Sequence, residues 1–201
     1  MRGETVPVSS KGAEVSYMKL RLLRRRRPNT WKGIAAGMAG GLVASWTMNQ
    51  FQALLSKASE KFSCNGSGDS GQEKNPSEAE SEDATMKTAD KLAADLLGKK
   101  LTKEQKKKLG PAVHYIFGAA TGALYGALAE HVPEVTAAEG VPFGTAVFVG
   151  ADEIAVPAFG LSKAPTEYPL STHASALAAH IVYGITTEVV RKYVRRGLQA
   201  V

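Results

Sequence analysis

The chain has 201 residues, a net charge of +6 and a pI near 9.4. That length admits one compact domain or a small helical membrane bundle. A single cysteine, Cys64, excludes an intrachain disulfide, and aromatic residues at 7% with no stacking motif beside the basic runs argue against nucleic acid as a partner.

The basic excess is local, in Arg21–Arg27, Lys99–Lys108 and Arg191–Arg196, and each run abuts an apolar segment. Such flanks suit anionic lipid headgroups. The mean hydropathy of −0.14 averages over polar ends, a polar linker and long uncharged segments. Residues 1–32 form a basic N-terminal segment without a strong period. Asn65-Gly-Ser67 matches a glycosylation pattern, which has meaning only in a eukaryotic secretory context.

Residues 33–55 carry no charge and are long enough to span ~30 Å of hydrocarbon at ~1.5 Å per residue. Trp31 and Lys32 suit an interfacial anchor. A signal peptide is the alternative, but no small-x-small cleavage site follows, and Pro-Asn-Thr after the arginines speaks against a twin-arginine signal. Gly33, Gly37 and Gly41 fall on one helix face, where another backbone can approach closely. Ser45, Thr47, Asn49, Gln50 and Gln52 make the second half polar, so part of it should meet protein.

Residues 56–108 read as a polar linker carrying an amphipathic helix. Almost no apolar residue occurs in 63–83. From Ala84 to Leu97, Met86, Ala89, Ala93 and Leu96/Leu97 share a face opposite Lys87, Asp90, Lys91 and Asp95, as in a helix lying on a membrane surface or against a bundle. Thr102-Lys-Glu-Gln105 has the form of a capping box.

Residues 109–196 read as a three-helix membrane core, followed by a tail at 197–201. The first of the three, Pro111 to Ala129, repeats the glycine spacing at Gly118, Gly122 and Gly126. Val141 to Leu161 is the next, and Ser171 to Glu188 the last. The predicted fold is therefore all-α: an integral membrane helical bundle of about four apolar helices plus one amphipathic helix. Basic runs at both ends place both termini in the cytoplasm and ask for an even number of spans. Lys99–Lys108 would then lie outside, a conflict that a re-entrant first or third segment would relieve.

Within the third apolar segment two carboxylates, Asp152 and Glu153, stand in an uncharged run, where ionised groups need partners. On an α-helix Glu153 shares a face with Ala146, Gly150, Pro157 and Gly160, and Asp152 lies about 100° away. Pro157 lacks an N–H and breaks the helix beside the pair. The fourth segment offers His173, His180, Gly184 and Thr187, ending in Glu188; the second offers His114, Thr121 and Tyr125. His180 is the expected partner of the carboxylates, with Glu153 the better-placed member. The cluster suits a proton-responsive pair, an ion site or a small-solute contact, or it only holds helices in register. No His-x-x-x-His, Cys pair, P-loop, dinucleotide fingerprint or Gly-x-Ser-x-Gly is present, so no metal, cofactor or enzymatic activity is expected.

His114-Tyr-Ile-Phe-Gly118, Gly122-Ala-Leu-Tyr125-Gly126, Glu130-x-x-Pro133, Asp152-Glu153, Pro157-x-x-Gly160-Leu161, Pro165, Ala179-His180-Ile-Val-Tyr183-Gly184 and Glu188-x-x-Arg191 together resemble the YagU-like family of bacterial inner-membrane proteins, a domain of unknown function. The resemblance covers about Gly33 to Arg196 and is strongest from His114 on; the hydrophilic stretch 56–108 departs from the pattern. It implies a multi-pass protein of the bacterial cytoplasmic membrane and carries over no catalytic residue. Two functional readings follow. One is a proton-responsive or solute-handling membrane protein. The other is a structural module that assembles with itself or another membrane protein through its glycine ladders. A soluble helical bundle with an exported or anchored N-terminus is a third class.

Overall fold

In the computed structural model, which describes residues 28–63 and 76–199, Asn29 opens the first helix. Its side-chain oxygen accepts the Lys32 N–H at 3.0 Å, which caps α1 (Thr30–Ser63). Helix α2 (Pro76–Leu97) follows, then α3 (Lys103–His131). The box read from the sequence starts α3: Gln105 N–H donates to Thr102 Oγ1, and Thr102 N–H donates back to Gln105 Oε1. Pro111 does not interrupt α3. It only removes the partner of the Lys107 carbonyl, on a residue that is exposed.

A 3₁₀ segment, Pro133–Gly140, reverses the chain into α4 (Val141–Val147). The reversal uses three successive positive φ angles, at Ala138, Glu139 and Gly140. Gly140 is doubly constrained, because a side chain there would also collide with the Gly184 carbonyl of the last helix. Helix α4 runs on as a π-helical stretch, Phe148–Ala155, and one α-turn, Val156–Ala158. A 3₁₀ turn, Pro165–Glu167, leads to α5 (Leu170–Gly197). All described residues are helical, turn or irregular, with no strand among them.

Two of the element boundaries correct the sequence reading. Helix α1 extends past the predicted 33–55, and α2 begins before the predicted Ala84. The runs Arg21–Arg27 and 64–75, with Cys64 and Asn65, lie outside the described residues.

Helix α1 is antiparallel to both α3 and α5. The two glycine ladders face each other along it: Gly33 meets Gly126, Gly37 meets Gly122, and Gly41 meets Gly118. A Cβ on Gly37 would lie 2.8 Å from the Gly126 Cα and would collide with the Gly122 carbonyl. A second close contact joins α4 to α5, where Gly144 lies against the His180 carbonyl and Gly184. Small residues thus bring main chains together at several points, a mode that needs no large apolar core.

The small apolar core consists of Ala44, Met48, Ala179 and Tyr183, with Phe51, Phe143 and Val147 against it. The largest fully buried side chains are Tyr125, Glu188, Thr187 and Ser45, with Glu188 0% exposed. Large apolar side chains face outward instead: Ile116 is 68% exposed, Leu124 62% and Trp46 56%. Two stretches are long and apolar enough to cross a membrane, Lys103–His131 and Pro133–Ala158, and only 22% and 11% of their apolar windows are buried. The predicted count was four. Helices α1 and α5 fall outside this measure, diluted by Ser45, Asn49, Gln50 and Gln52 in one and by His173, His180 and Glu188 in the other.

Candidate functional site

Beneath α2 lies a cavity of about 260 Å³. Helix α2 reaches it through its small-residue face. Ala89 and Ala93 are buried as the periodicity predicts, and Gly110 of α3 lets Met86 approach. Asp90 fastens this helix down, accepting from Lys106 Nζ at 2.6 Å and from the Leu101 N–H at 2.9 Å. Those bonds, the one from Lys106 above all, hold the Asp90 carboxyl below the usual range. Ala84, Thr85 and Thr88 form the roof.

Three of the residues singled out from sequence meet in this cavity: His114 from α3, Asp152 from the π-helical stretch and His180 from α5. His180 Nδ1 is 2.9 Å from the Ala176 carbonyl. A carbonyl only accepts, so Nδ1 carries a proton and donates it there. The same Nδ1 is 3.7 Å from Asp152 Oδ2, an ionic contact but not a hydrogen bond. No hydrogen bond to the Asp152 carboxylate occurs among the described residues, and the buried Nε2 of His114 has no partner there either. Tyr183, also in the lining, donates to the Gly118 carbonyl at 2.7 Å and lies 2.8 Å from Thr121 Oγ1.

Glu153 is elsewhere. The sequence offers His180 to either carboxylate and prefers Glu153; His180 lies beside Asp152, and Glu153 pairs with His173, Oε1 to Nδ1 at 2.6 Å. The reason is the π-helical register. Val156 N–H reaches back five residues to the Ala151 carbonyl, so the chain turns through less than an α-helix's ~100° per residue and the predicted faces rotate. Asp152 is thereby brought to His180, and Glu153 to His173. The second ring nitrogen of His173, Nε2, lies 3.0 Å from the Pro165 carbonyl and must donate to it. One proton is therefore shared between Nδ1 and Glu153. This pair ties the connector before α5 to the end of α4. Pro157 sits close by, within two residues of the helix end, so it marks a terminus rather than a mid-helix break.

Glu188 belongs to a third place, the opposite end of the bundle. It accepts Arg191 Nε and Nη2 at 2.7 and 2.8 Å and the Tyr125 hydroxyl at 2.8 Å. Beside it Arg195 grips Glu130 at 2.5 and 2.9 Å, while Glu130 also accepts the Asn29 N–H. Lys192 reaches Glu139 at 2.6 Å. The run Arg191–Arg196 was read as a basic flank; Arg191 and Arg195 turn inward instead. Glu188-x-x-Arg191 was the available sequence signal, being an i,i+3 pair. Nothing in the sequence pointed to Glu130 with Arg195.

Among the described residues no group of three or more His, Cys, Asp or Glu side chains is arranged to hold a metal ion. The chemistry on offer is therefore that of a carboxylate and two imidazoles around a largely apolar space.

No curated protein and no solved structure matches the chain. A family model described as a protein of unknown function, DUF1440, matches residues 80–189. This is a narrower stretch than the resemblance from Gly33 to Arg196, and it takes in α2 through most of α5, including every residue of the Asp152–His180–His114 group. With more than half of its length matched, the chain belongs to this family of proteins of unknown function.

Proposed function

We propose that the chain is an integral, multi-pass protein of the bacterial cytoplasmic membrane, a YagU-like member of its family. In this reading α1, α3, the α4 stretch and α5 cross the bilayer, and the cavity beneath α2 binds a small solute and responds to protons. It is a binding protein and not an enzyme. The observation that carries the reading is the inversion of the bundle: polar and charged side chains lie inside while Trp46, Ile116 and Leu124 face out. Water would make such an exterior unfavourable, whereas lipid favours it. The polar interior opens into a cavity under α2.

An even number of passes also fits the ends. Lys32 Nζ donates to the Leu198 carbonyl at 2.5 Å, so the start of α1 and the end of α5 lie together. The titratable groups lining the cavity are His114 from α3, Asp152 from the π-helical stretch, and His180 and Tyr183 from α5. Protonation of either histidine would change the charge that the cavity presents. The alternative, assembly of copies through the glycine ladders, has less support, because the two ladder faces cover each other within one chain.

Carbonate extraction tests the membrane reading: the protein should stay with the membrane fraction, and release into the soluble fraction would end it. Charge reporters placed in 64–75 and after Val201 should report opposite sides. For the site, Asp152→Asn and His180→Ala should alter pH-dependent growth or proton flux while the protein still accumulates. Unchanged behaviour in both would remove the proton-responsive element.

A further inference from the structure

Resting on the cavity reading above, we infer that the ligand is a small amphiphilic amine, held by its ammonium group at Asp152 with its apolar body among the aromatic and aliphatic walls. Three observations on one cavity lead there. Asp152, the only carboxylate lining it among the described residues, accepts no hydrogen bond among them, and its ion-pair contact is His180 Nδ1 at 3.7 Å, already committed to the Ala176 carbonyl. The His114 Nε2 is buried and unpartnered. No lysine or arginine among the described residues lines the space.

A carboxylate with no lysine or arginine within ion-pair distance among the described residues, facing a space walled by side chains such as Phe117 and Phe159, repels anions and favours cations. An ammonium group has three donors and no acceptor. It satisfies Asp152 and an imidazole nitrogen together, which a carboxylic acid cannot do. A hydroxyl would satisfy one of them and leave the charge of Asp152 uncompensated. At about 260 Å³ the cavity is at the small end of ligand pockets, which start near ~300 Å³, so the body must be short.

The test uses the full chain purified in detergent and three probes of one shape: benzylamine, benzyl alcohol and benzoate. Binding is read by calorimetry and by thermal shift. Benzylamine should bind tightest and benzoate weakest. Asp152→Asn should weaken benzylamine about tenfold or more, as loss of a charge-assisted bond does, and leave benzyl alcohol nearly unchanged. Ala155→Phe, which fills the cavity, should abolish both. Benzoate binding as tightly as benzylamine, or benzylamine insensitive to Asp152→Asn, would overturn the amine assignment while leaving the cavity reading standing. If none of the three binds while the protein is folded, both the assignment and the cavity reading fall. Should Asp152→Asn not fold, the rank order of the probes on the unaltered chain decides alone.

Discussion

Where α1 begins and α5 finishes, Glu188 is gripped by Arg191 and Tyr125, and Glu130 by Arg195. Under α2, at the other end, Asp152 accepts no hydrogen bond among the described residues and His114 Nε2 is unpartnered. The two regions hold similar residue types at different depth: the Glu188 side chain is 0% exposed, the Asp152 side chain 41%. Removing charges from water is costly, and the first region offsets that cost with short, bidentate bonds. The second leaves Asp152 open to the cavity, with no hydrogen bond to its carboxylate among the described residues. The paired end therefore holds the fold together, whereas the cavity end presents a partly exposed carboxylate that a bound cation can reach.

The largest effect should come from breaking the paired end. Glu188→Gln leaves Arg191 buried without its counter-charge, and the bundle should lose about 3–5 kcal/mol, measured by thermal unfolding in detergent. A loss below ~1 kcal/mol would mean the pair is solvated and the contrast between the ends is false. Next is the helix contact on which both ends depend. At Gly122 a Cβ would lie 2.8 Å from the Gly41 Cα and would collide with the Gly37 carbonyl, so Gly122→Leu must push α1 from α3. Overpacking of this kind costs about 1–3 kcal/mol. Gly150, with nothing near its Cβ position, is the control: Gly150→Ala should stabilise by about 0.4–1 kcal/mol. Similar losses at the two glycines, read from accumulation and melting temperature, would refute the ladder geometry.

Much of this was legible one element at a time. Thr102 and Gln105 announced the start of α3, and the four-residue glycine spacing announced close backbone contacts. What the spacing could not reveal is that the two ladders face each other, since that depends on how α1 and α3 rotate in the bundle. The placement of His180 beside the carboxylates holds through Asp152, but the preference for Glu153 fails for a local reason: it assumes ~100° per residue through a stretch whose hydrogen bonds run five residues back. Pro157 was read correctly as a disturbance but placed at the wrong distance from the helix end. The inward turn of Arg191 and Arg195 was masked by their neighbours, because Arg191–Arg196 looks like an ordinary basic flank.

Smaller effects sharpen the picture of α2 and the start of α3. Thr102→Ala removes the cap of α3 and should cost about 1 kcal/mol by thermal unfolding. The Asp90–Lys106 contact should make α2 docking pH-dependent. Its folded-state pKa is depressed, so the contribution is complete above the unfolded value of about 3.9 and is lost as pH falls through the folded value. Proteolysis of α2 should accelerate only on the acid side of that window, and Asp90→Asn should remove the dependence. Protection that is independent of pH in the unaltered chain would show that α2 is held by its apolar face alone.

The central claim is that Asp152 serves the cavity and Glu188 serves the fold. Thermal unfolding of Asp152→Asn and Glu188→Gln, side by side in one detergent, tests it most directly. Asp152→Asn should melt at or above the temperature of the unaltered chain, because it removes a carboxylate that accepts no hydrogen bond, while Glu188→Gln should melt far below it. Equal destabilisation of the two would make Asp152 a structural ion-pair partner of His180 and contradict the account.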